Sequence, residues 1–571
     1  MTHITGNLTG DLGVPLSDVD PGPIVDADRR GSYLVAAGIL LSRVAGLIRE
    51  IAISGYLGVG ATADVFKAAL RIPNLLQNLL GEGVLSASFI PVYSRLLDED
   101  EEKANRLAGN VLGLLLAVMA AVVALGILLA RPLTLLLTPG FSGQRLELAT
   151  TLLRVMFPGI ALLVLSAFCT GILNSHRQFF LSYVSPVMWN AGQIAFLVAA
   201  GLYGATDIGI VHALSWGVVF GAVAEVAIQV RPVGRLMRGA RLSLDRSNPG
   251  VREVLGRFGP VVLGRGVVQL LTYVDLILAS LLALGGVSAL TYGQVLYLLP
   301  ISLFGMAVAA AELPELSRLG RAGHAAIRER LHLGTERITF YVAITASVYV
   351  FAGDIVVGTL LQRGQFDRQD TRLVWFVLAA FALGLLGTTR SRLLQNGLYA
   401  LDRPKLVARI AIVRVGLAAI LGALFMFPFD RLAVVGSSIQ RIGTFGLSPL
   451  PDSLRLLQGG PPRLGVVGLA LGAAISSWVE YRLLRGALQW RIGQLPPIGH
   501  DGRWSIIAAV ACGVLAAGLR AEVTDLPRLV AGVVVLVPTA VAYLAITAAM
   551  RVSEATALLG RARRLVLRQR G

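Results

Sequence analysis

The stretch LLSRVAGLIREIAI, residues 40–53, lies inside an apolar run from about Tyr33 to Leu57. That run is long enough to cross a bilayer as a helix, yet it carries Arg43, Arg49 and Glu50 near its middle. Each central charge costs roughly 2.5–3.5 kcal/mol on insertion scales, so three in one membrane helix are tolerated only where they face protein or water. At about 100° per residue, Arg43 and Glu50 fall about 20° apart around the helix, and Ser42 and Arg49 share a second stripe. The stripes are roughly 100–140° apart, with the two arginines about 9 Å apart along the axis. This pattern predicts a helix lining a wide polar cavity. A single Arg–Glu pair buried between helices accounts for less of it.

The rest of the chain fits a membrane setting. Of 571 residues, 55% are hydrophobic and 15% charged, and the mean hydropathy is +0.71. Soluble domains average about 25% charged residues, so a large globular fold is excluded. The net charge of +17 would suit nucleic acid, but the arginines cluster in short loops between apolar segments and no basic-aromatic module accompanies them. Cys169 and Cys512 both lie in apolar segments, which points to neither a disulfide framework nor a metal site. Residues 1–30 contain five aspartates and no basic region ahead of an apolar core, so they read as a tail and not a signal peptide.

Apolar segments near 33–57, 65–95, 107–129, 150–173, 182–203, 208–230, 254–284, 287–317, 336–361, 372–400, 405–428, 464–490, 504–520 and 527–550 are each long enough to span, predicting fourteen transmembrane helices in an all-α integral membrane fold. Charge placement supports an even number. Seven arginines in 231–257, five in 318–337 and six in 551–571 then fall on one side with Arg29 and Arg30. By the positive-inside rule that side is cytoplasmic, with both termini inside.

The expected organisation is a polar cytoplasmic tail (1–32), an N-terminal lobe of helices 1–6 (33–230) and a basic cytoplasmic loop (231–257). A C-terminal lobe of helices 7–12 follows (258–490), with a Ser-, Gly- and Pro-rich external loop at 429–463, then helices 13 and 14 (504–550) and a basic cytoplasmic tail (551–571).

An internal echo supports two parallel six-helix lobes plus two C-terminal helices. Residues 91–96 read PVYSRL and 314–319 read PELSRL; Arg43 precedes the first by 48 residues and Arg265 the second by 49. Transporters are often built from such halves, with a substrate site between them. The second helix adds Asp64, Lys67, Arg71 and Glu82, broken by Pro73 and by Gly81-Glu82-Gly83, where freed backbone groups turn to a cavity. In the second half, Arg265 and Asp275 share one helix, and Arg390 and Arg392 lie deep in another. Asp64, Glu82 and Asp275 fit helix-locking pairs as well as a cavity lining, and Arg390 and Arg392 fit snorkelling to an interface as well. An excess of cavity arginine calls for an anion, and the guanidinium fork suits phosphate or carboxylate. GVGATA (58–63) has no preceding strand and reads as a turn between membrane helices, not a dinucleotide site. No ordered nucleophile–base pair and no metal spacing appears, so no enzyme and no cofactor is expected.

Residues 42–96, SRVAGLIREIAISGYLGVGATADVFKAALRIPNLLQNLLGEGVLSASFIPVYSRL, resemble the first two helices of the MurJ/MviN lipid II flippases of the MOP exporter superfamily. The matching positions are Ser42, Arg43, Gly46, Arg49, Glu50, Asp64, Arg71, Pro73, Asn74, Glu82, Gly83, Phe89 and Pro91. Weaker likeness covers 258–269, 313–319 and 396–405. The resemblance implies a carrier in the bacterial inner membrane that moves undecaprenyl-pyrophosphate-linked peptidoglycan precursor from inner to outer leaflet by alternating access. It implies pyrophosphate or head-group contacts at Arg43 and Arg49, with Arg265 and Arg392 as further basic positions. Gating or structural roles fall to Ser42, Glu50, Asp64, Arg71, Pro73, Asn74 and Glu82. Coupling to the membrane potential or a monovalent ion, and cell-wall synthesis proteins as partners, are further expectations. The chain departs from the family where Gln77 and Asn78 replace a usual basic residue and where Tyr292-Gly293-Gln294-Val295 replaces Y-A-D-R. Those departures leave two alternatives open: an exporter of another polyprenyl-linked saccharide, or a non-transporting cell-wall scaffold.

Overall fold

The computed structural model describes residues 23–271, 273–305, 323–436, 438–444 and 446–568, without the side chains of 23–36, 82, 83, 260, 261, 263–271, 305, 562, 563 and 565–568. It is a helical assembly. The first helices are α1 (Pro23–Leu57), α2 (Ala61–Leu80), α3 (Glu82–Ser88), α4 (Ile90–Glu99), α5 (Glu101–Leu128) and α6 (Ala130–Leu137). Then come α7 (Gly143–Ser175), α8 (Phe179–Val184), α9 (Pro186–Leu202), α10 (Asp207–Leu236), α11 (Pro249–Leu271), α12 (Val274–Ser280) and α13 (Gly286–Pro300). The remainder comprises α14 (His324–Leu361), α15 (Arg368–Leu383), α16 (Leu385–Ala400), α17 (Pro404–Asp430), α18 (Asp452–Arg455), α19 (Gly465–Ile492), α20 (His500–Glu522), α21 (Arg528–Ala549) and α22 (Ser553–Arg568).

Among the described residues ten helical segments are long and apolar enough to cross a membrane, and the bent pair α15–α16, angled at 44°, makes an eleventh. Helix α1, whose side chains are described from residue 37 onward, is not among the ten. Helix starts follow local chemistry. Asp100 caps α5 by accepting from Glu102 N (3.0 Å) and Lys103 N (3.2 Å). Asp367 and Asp370 form a reciprocal capping box at α15.

Glycine lets helices meet backbone to backbone. A Cβ on Gly192 of α9 would lie 2.4 Å from Gly221 Cα of α10, and one on Gly472 of α19 would lie 2.6 Å from Gly422 N of α17. Close approach of this kind replaces the hydrophobic drive that lipid cannot supply between membrane helices. Large apolar side chains such as Leu128, Ile420 and Leu529 are exposed at the periphery, as lipid contact requires.

Four expected boundaries shift. Helix α1 begins at Pro23, inside the expected tail, because proline at a helix start and Asp26 and Asp28 in the first turns favour an N-terminus there. The expected single helix 65–95 is three, broken at Gly81 (φ −89°, ψ −126°) and Phe89. Helix α11 starts within the basic loop, and the basic tail contains α22. The described residues of 429–463 include a hairpin. Strands β1 (Leu432–Val435) and β2 (Ser438–Arg441) pair antiparallel, with Leu432 opposite Arg441. The returning chain then joins them through Val434 N to Pro462 O (2.8 Å) and Leu464 N to Leu432 O (2.9 Å). The second repeat copy, 314–319, lies outside the described residues.

Candidate functional site

The charges of α1 part company in the structure. Arg43 is exposed and, among the described residues, makes no ion pair. Glu50, on nearly the same stripe, is 5% exposed. The two stand about 10 Å apart along the axis, so a shared stripe does not give shared surroundings. Glu50 meets α2: its Oε1 accepts from Arg49 Nη2 at 2.8 Å and its Oε2 accepts from Lys67 Nζ. Lys67 is 3% exposed and its ammonium sits 4.9 Å from the centre of the Tyr292 ring on α13. The Arg49 guanidinium stacks 5.0 Å from the Trp189 ring on α9, and its Nε is buried with no partner. A single glutamate thus bridges two cations from different helices, leaving one positive charge in excess, while one guanidinium edge stays unused. Such an edge is where an oxyanion binds with least rearrangement.

A second cluster surrounds Arg71. Its Nη2 donates to Gln294 Oε1 at 2.6 Å, and its carbonyl accepts from Tyr273 OH at 3.0 Å. Gln294, which stands where the family pattern carries an acid, is therefore a neutral acceptor for a basic residue of the first half. Deeper in the second half, Glu480 accepts from Gln395 Nε2 (3.0 Å) and pairs with Arg414 (3.4 Å).

Asp64 belongs elsewhere. It is 1% exposed and caps the start of α13, accepting from Gly285 N (2.8 Å), Ser288 N (2.7 Å) and Ser288 Oγ (2.8 Å). Arg145 of α7 adds an ion pair at 3.4 Å. The neighbouring turn is pinned in parallel. Val59 N donates to Asp370 Oδ2 (3.0 Å), Gln365 N to Gly55 O (2.8 Å) and Tyr292 OH to Gly58 O (3.3 Å). Residues 58–60 of GVGATA form the turn and 61–63 open α2; Gly58 takes φ +55°, a conformation that favours glycine. Arg455 of the 452–463 segment crosses to the same end, donating from Nη1 to Gly140 O at 3.3 Å. This end of the molecule is closed by bonds between its first and second halves.

The remaining expected site residues separate. Arg392 is exposed on α16. Arg390 does not snorkel: it is 2% exposed and donates to Thr339 Oγ1 from Nε (3.2 Å) and Nη2 (2.7 Å). Pro73 is buried inside α2, and Ser42 and Asn74 are half-buried. The side chains of Glu82 and Arg265 lie outside the described residues. Trp189, Tyr292 and Gln294 were absent from the expected site. No spacing rule joins α1 to α9 across 140 residues, but the Gln294 departure marked a position that meets Arg71.

A family described as lipid II flippase MurJ matches residues 53–442. A probable lipid II flippase MurJ of Rhizobium tropici is 32% identical over 405 residues, covering 69% of this chain and 74% of the relative. The lipid II flippase MurJ of Burkholderia cenocepacia is 31% identical, covering 67% and 75%. Among solved structures, a lipid II flippase MurJ in an inward closed conformation superposes with TM-score 0.69 at 19% identity, over 90% of this chain and 98% of that one. An inward-facing multidrug resistance MATE family transporter of the MOP superfamily gives TM-score 0.59 at 16% identity, over 79% and 94%. These likenesses carry the same all-α membrane fold.

Proposed function

Because the chain belongs to the MurJ family of lipid II flippases, we propose that it carries lipid II from the inner to the outer leaflet of the bacterial cell membrane by alternating access, with both termini in the cytoplasm. The observation that carries this reading is the Arg49–Glu50–Lys67 group beside exposed Arg43. In the empty carrier Glu50 holds Arg49 and Lys67 together, and the group keeps one uncompensated positive charge. An arriving pyrophosphate takes the free Nε edge of Arg49 and the guanidinium of Arg43, and Trp189 keeps the Arg49 plane turned toward it. Arg71 bonds to Gln294 of the second half, and exposed Arg392 is assigned to the basic surface by sequence. Arg265 is assigned to the same surface by sequence.

The closed end, with Asp64 at its centre, faces outward in this orientation, so the substrate enters from the arginine-rich side. Return of an empty, positively lined carrier is driven by the membrane potential, at about 2.3 kcal/mol per charge per 100 mV. No chemical step on the substrate is involved, and cell-wall synthesis proteins that supply and consume the precursor are the natural partners. Replacing Arg43 and Arg49 together by alanine should abolish growth rescue of a flippase-depleted bacterium. Full rescue by the double variant would sink the assignment of those residues. Depletion should accumulate lipid II in the inner leaflet; accumulation of a different polyprenyl-linked saccharide would reassign the cargo.

A further inference from the structure

At the arginine-rich end, two cavities lie back to back across one short segment of chain. One, of about 970 Å³, is polar and bounded by Lys103, Arg106, Asn110, Arg241 and Ser243. The other, of about 360 Å³, is apolar and bounded by Leu112, Leu116, Phe168, Val230, Gly234 and Met237. Residues 239–243 divide them with strict alternation: Ala240 and Leu242 line the apolar crevice, whereas Gly239, Arg241 and Ser243 line the polar one. The segment is held on the glycine face of α5. A Cβ on Gly109 would lie 2.3 Å from Arg241 O, one on Gly113 would lie 2.4 Å from Ser243 O, and Asn105 Nδ2 donates to Arg238 O at 3.1 Å.

Three observations point to one occupant. Leu242 and Leu244 are 65% and 62% exposed, an arrangement suited to an acyl-chain environment and costly in water. Asn110 is 7% exposed, lines the polar cavity and makes no side-chain hydrogen bond among the described residues. The basic residues are also free to rearrange. Lys103 and Arg106 hold only exposed pairs within their own helix, to Asp100 (3.2 Å) and Glu102 (3.6 Å), and Arg241 holds none among the described residues. Such exposed pairs contribute little and yield readily to a phosphate. Three carboxylates share the lining: Glu253 is held by Arg95 (2.6 Å) and Arg257 (2.8 Å), Asp245 accepts from Ser247 N (2.7 Å), and exposed Glu102 pairs with Arg106 alone among the described residues.

We infer that this paired cavity binds an anionic phospholipid, its phosphate among Lys103, Arg106, Arg241 and Asn110 and one acyl chain in the crevice between α5, α7 and α10. Basic pockets between helices at a membrane surface recognise such head groups. The choice of cytoplasmic leaflet rests on the orientation proposed above. The reverse orientation would move the same site to the other leaflet and leave the binding result unchanged.

The test uses the purified full chain in detergent, with phosphatidylglycerol and phosphatidylcholine added as separate probes and retained lipid counted by native mass spectrometry. Phosphatidylglycerol should be retained in preference. R106Q/R241Q should weaken it by about tenfold, as loss of charge-assisted phosphate contacts predicts. The charge-conserving R106K/R241K should keep most of the preference. G234F should displace the lipid, because a Cβ there meets no atom within 4 Å and the ring fills the crevice; G234L serves if the larger ring disturbs folding. Equal retention of both lipids, or undiminished phosphatidylglycerol in R106Q/R241Q and in both Gly234 variants, overturns the site. Retention is read without lipid II, so its outcome is independent of whether the chain flips that substrate.

Discussion

Glu50 holds two cations in a place almost closed to water, which makes the order of damage among its variants calculable. Removing one partner of a buried ion pair costs about 3–5 kcal/mol, because the survivor is left charged and unpaired. In E50Q two cations survive: Arg49, which keeps the Trp189 ring, and Lys67, 3% exposed, with only the Tyr292 ring as a further partner among the described residues. The cost should sit near the top of that range, at about 5 kcal/mol. In K67M the survivor is Glu50, which still accepts from Arg49 at 2.8 Å, so the cost should sit near the bottom, at about 3 kcal/mol. The double variant E50Q/K67M strands neither Glu50 nor Lys67 and leaves only Arg49, which keeps the Trp189 ring, without its acid, so it should be more stable than E50Q. Equilibrium unfolding of the purified protein in mixed micelles, followed by tryptophan fluorescence, gives the three differences. Additivity within about 0.5 kcal/mol, or E50Q proving no less stable than K67M, would refute the shared-glutamate account.

Three further outcomes follow from named contacts. D64N keeps the shape of the α13 cap but presents an amide where the carboxylate accepted from Gly285 and Arg145. A cysteine placed at Thr62 should then react about tenfold faster with a membrane-impermeant thiol reagent, and an unchanged rate would show that Asp64 does not hold this end shut. Trp189→Ala removes the ring beneath Arg49 and should slow flipping about fivefold, as expected for about 1 kcal/mol of cation–π energy, with Trp189→Phe in between; equal rates in vesicles would mean that the stacking is incidental. Gly192→Ala forces a Cβ to 2.4 Å from Gly221 Cα and should cost about 2 kcal/mol by overpacking, visible as early unfolding.

The sequence carried the architecture because lipid imposes one rule on every segment: apolar, helical and about twenty residues long. The stretches around 107–129, 150–173 and 405–428 each emerged as a single longer helix, the second extended by two turns at its start. The charged residues were harder to place. Helical spacing correctly set Arg43 and Glu50 on one stripe, yet it says nothing of what stands opposite, and α2 supplied Lys67 to one and nothing to the other. Asp64 illustrates the same limit. Its partners Gly285 and Ser288 lie more than 220 residues away and two of the three bonds are to backbone amides, which no side-chain pattern announces. The 429–463 segment had no apolar period to read, and its hairpin depends on pairing with the returning chain at Pro462.

The bonds that close the Asp64 end also set a population. Six hydrogen bonds join residues 55–64 to residues 285–370 there. At a net contribution of about 1 kcal/mol each, the empty protein would hold this end open only about once in ten thousand molecules. A cargo that opens it must therefore bind the open form about ten-thousandfold more tightly than the closed one to make the open form predominate. The closed end thus acts as a threshold: a ligand that gains less than this from the change of shape can occupy the arginines without being carried across.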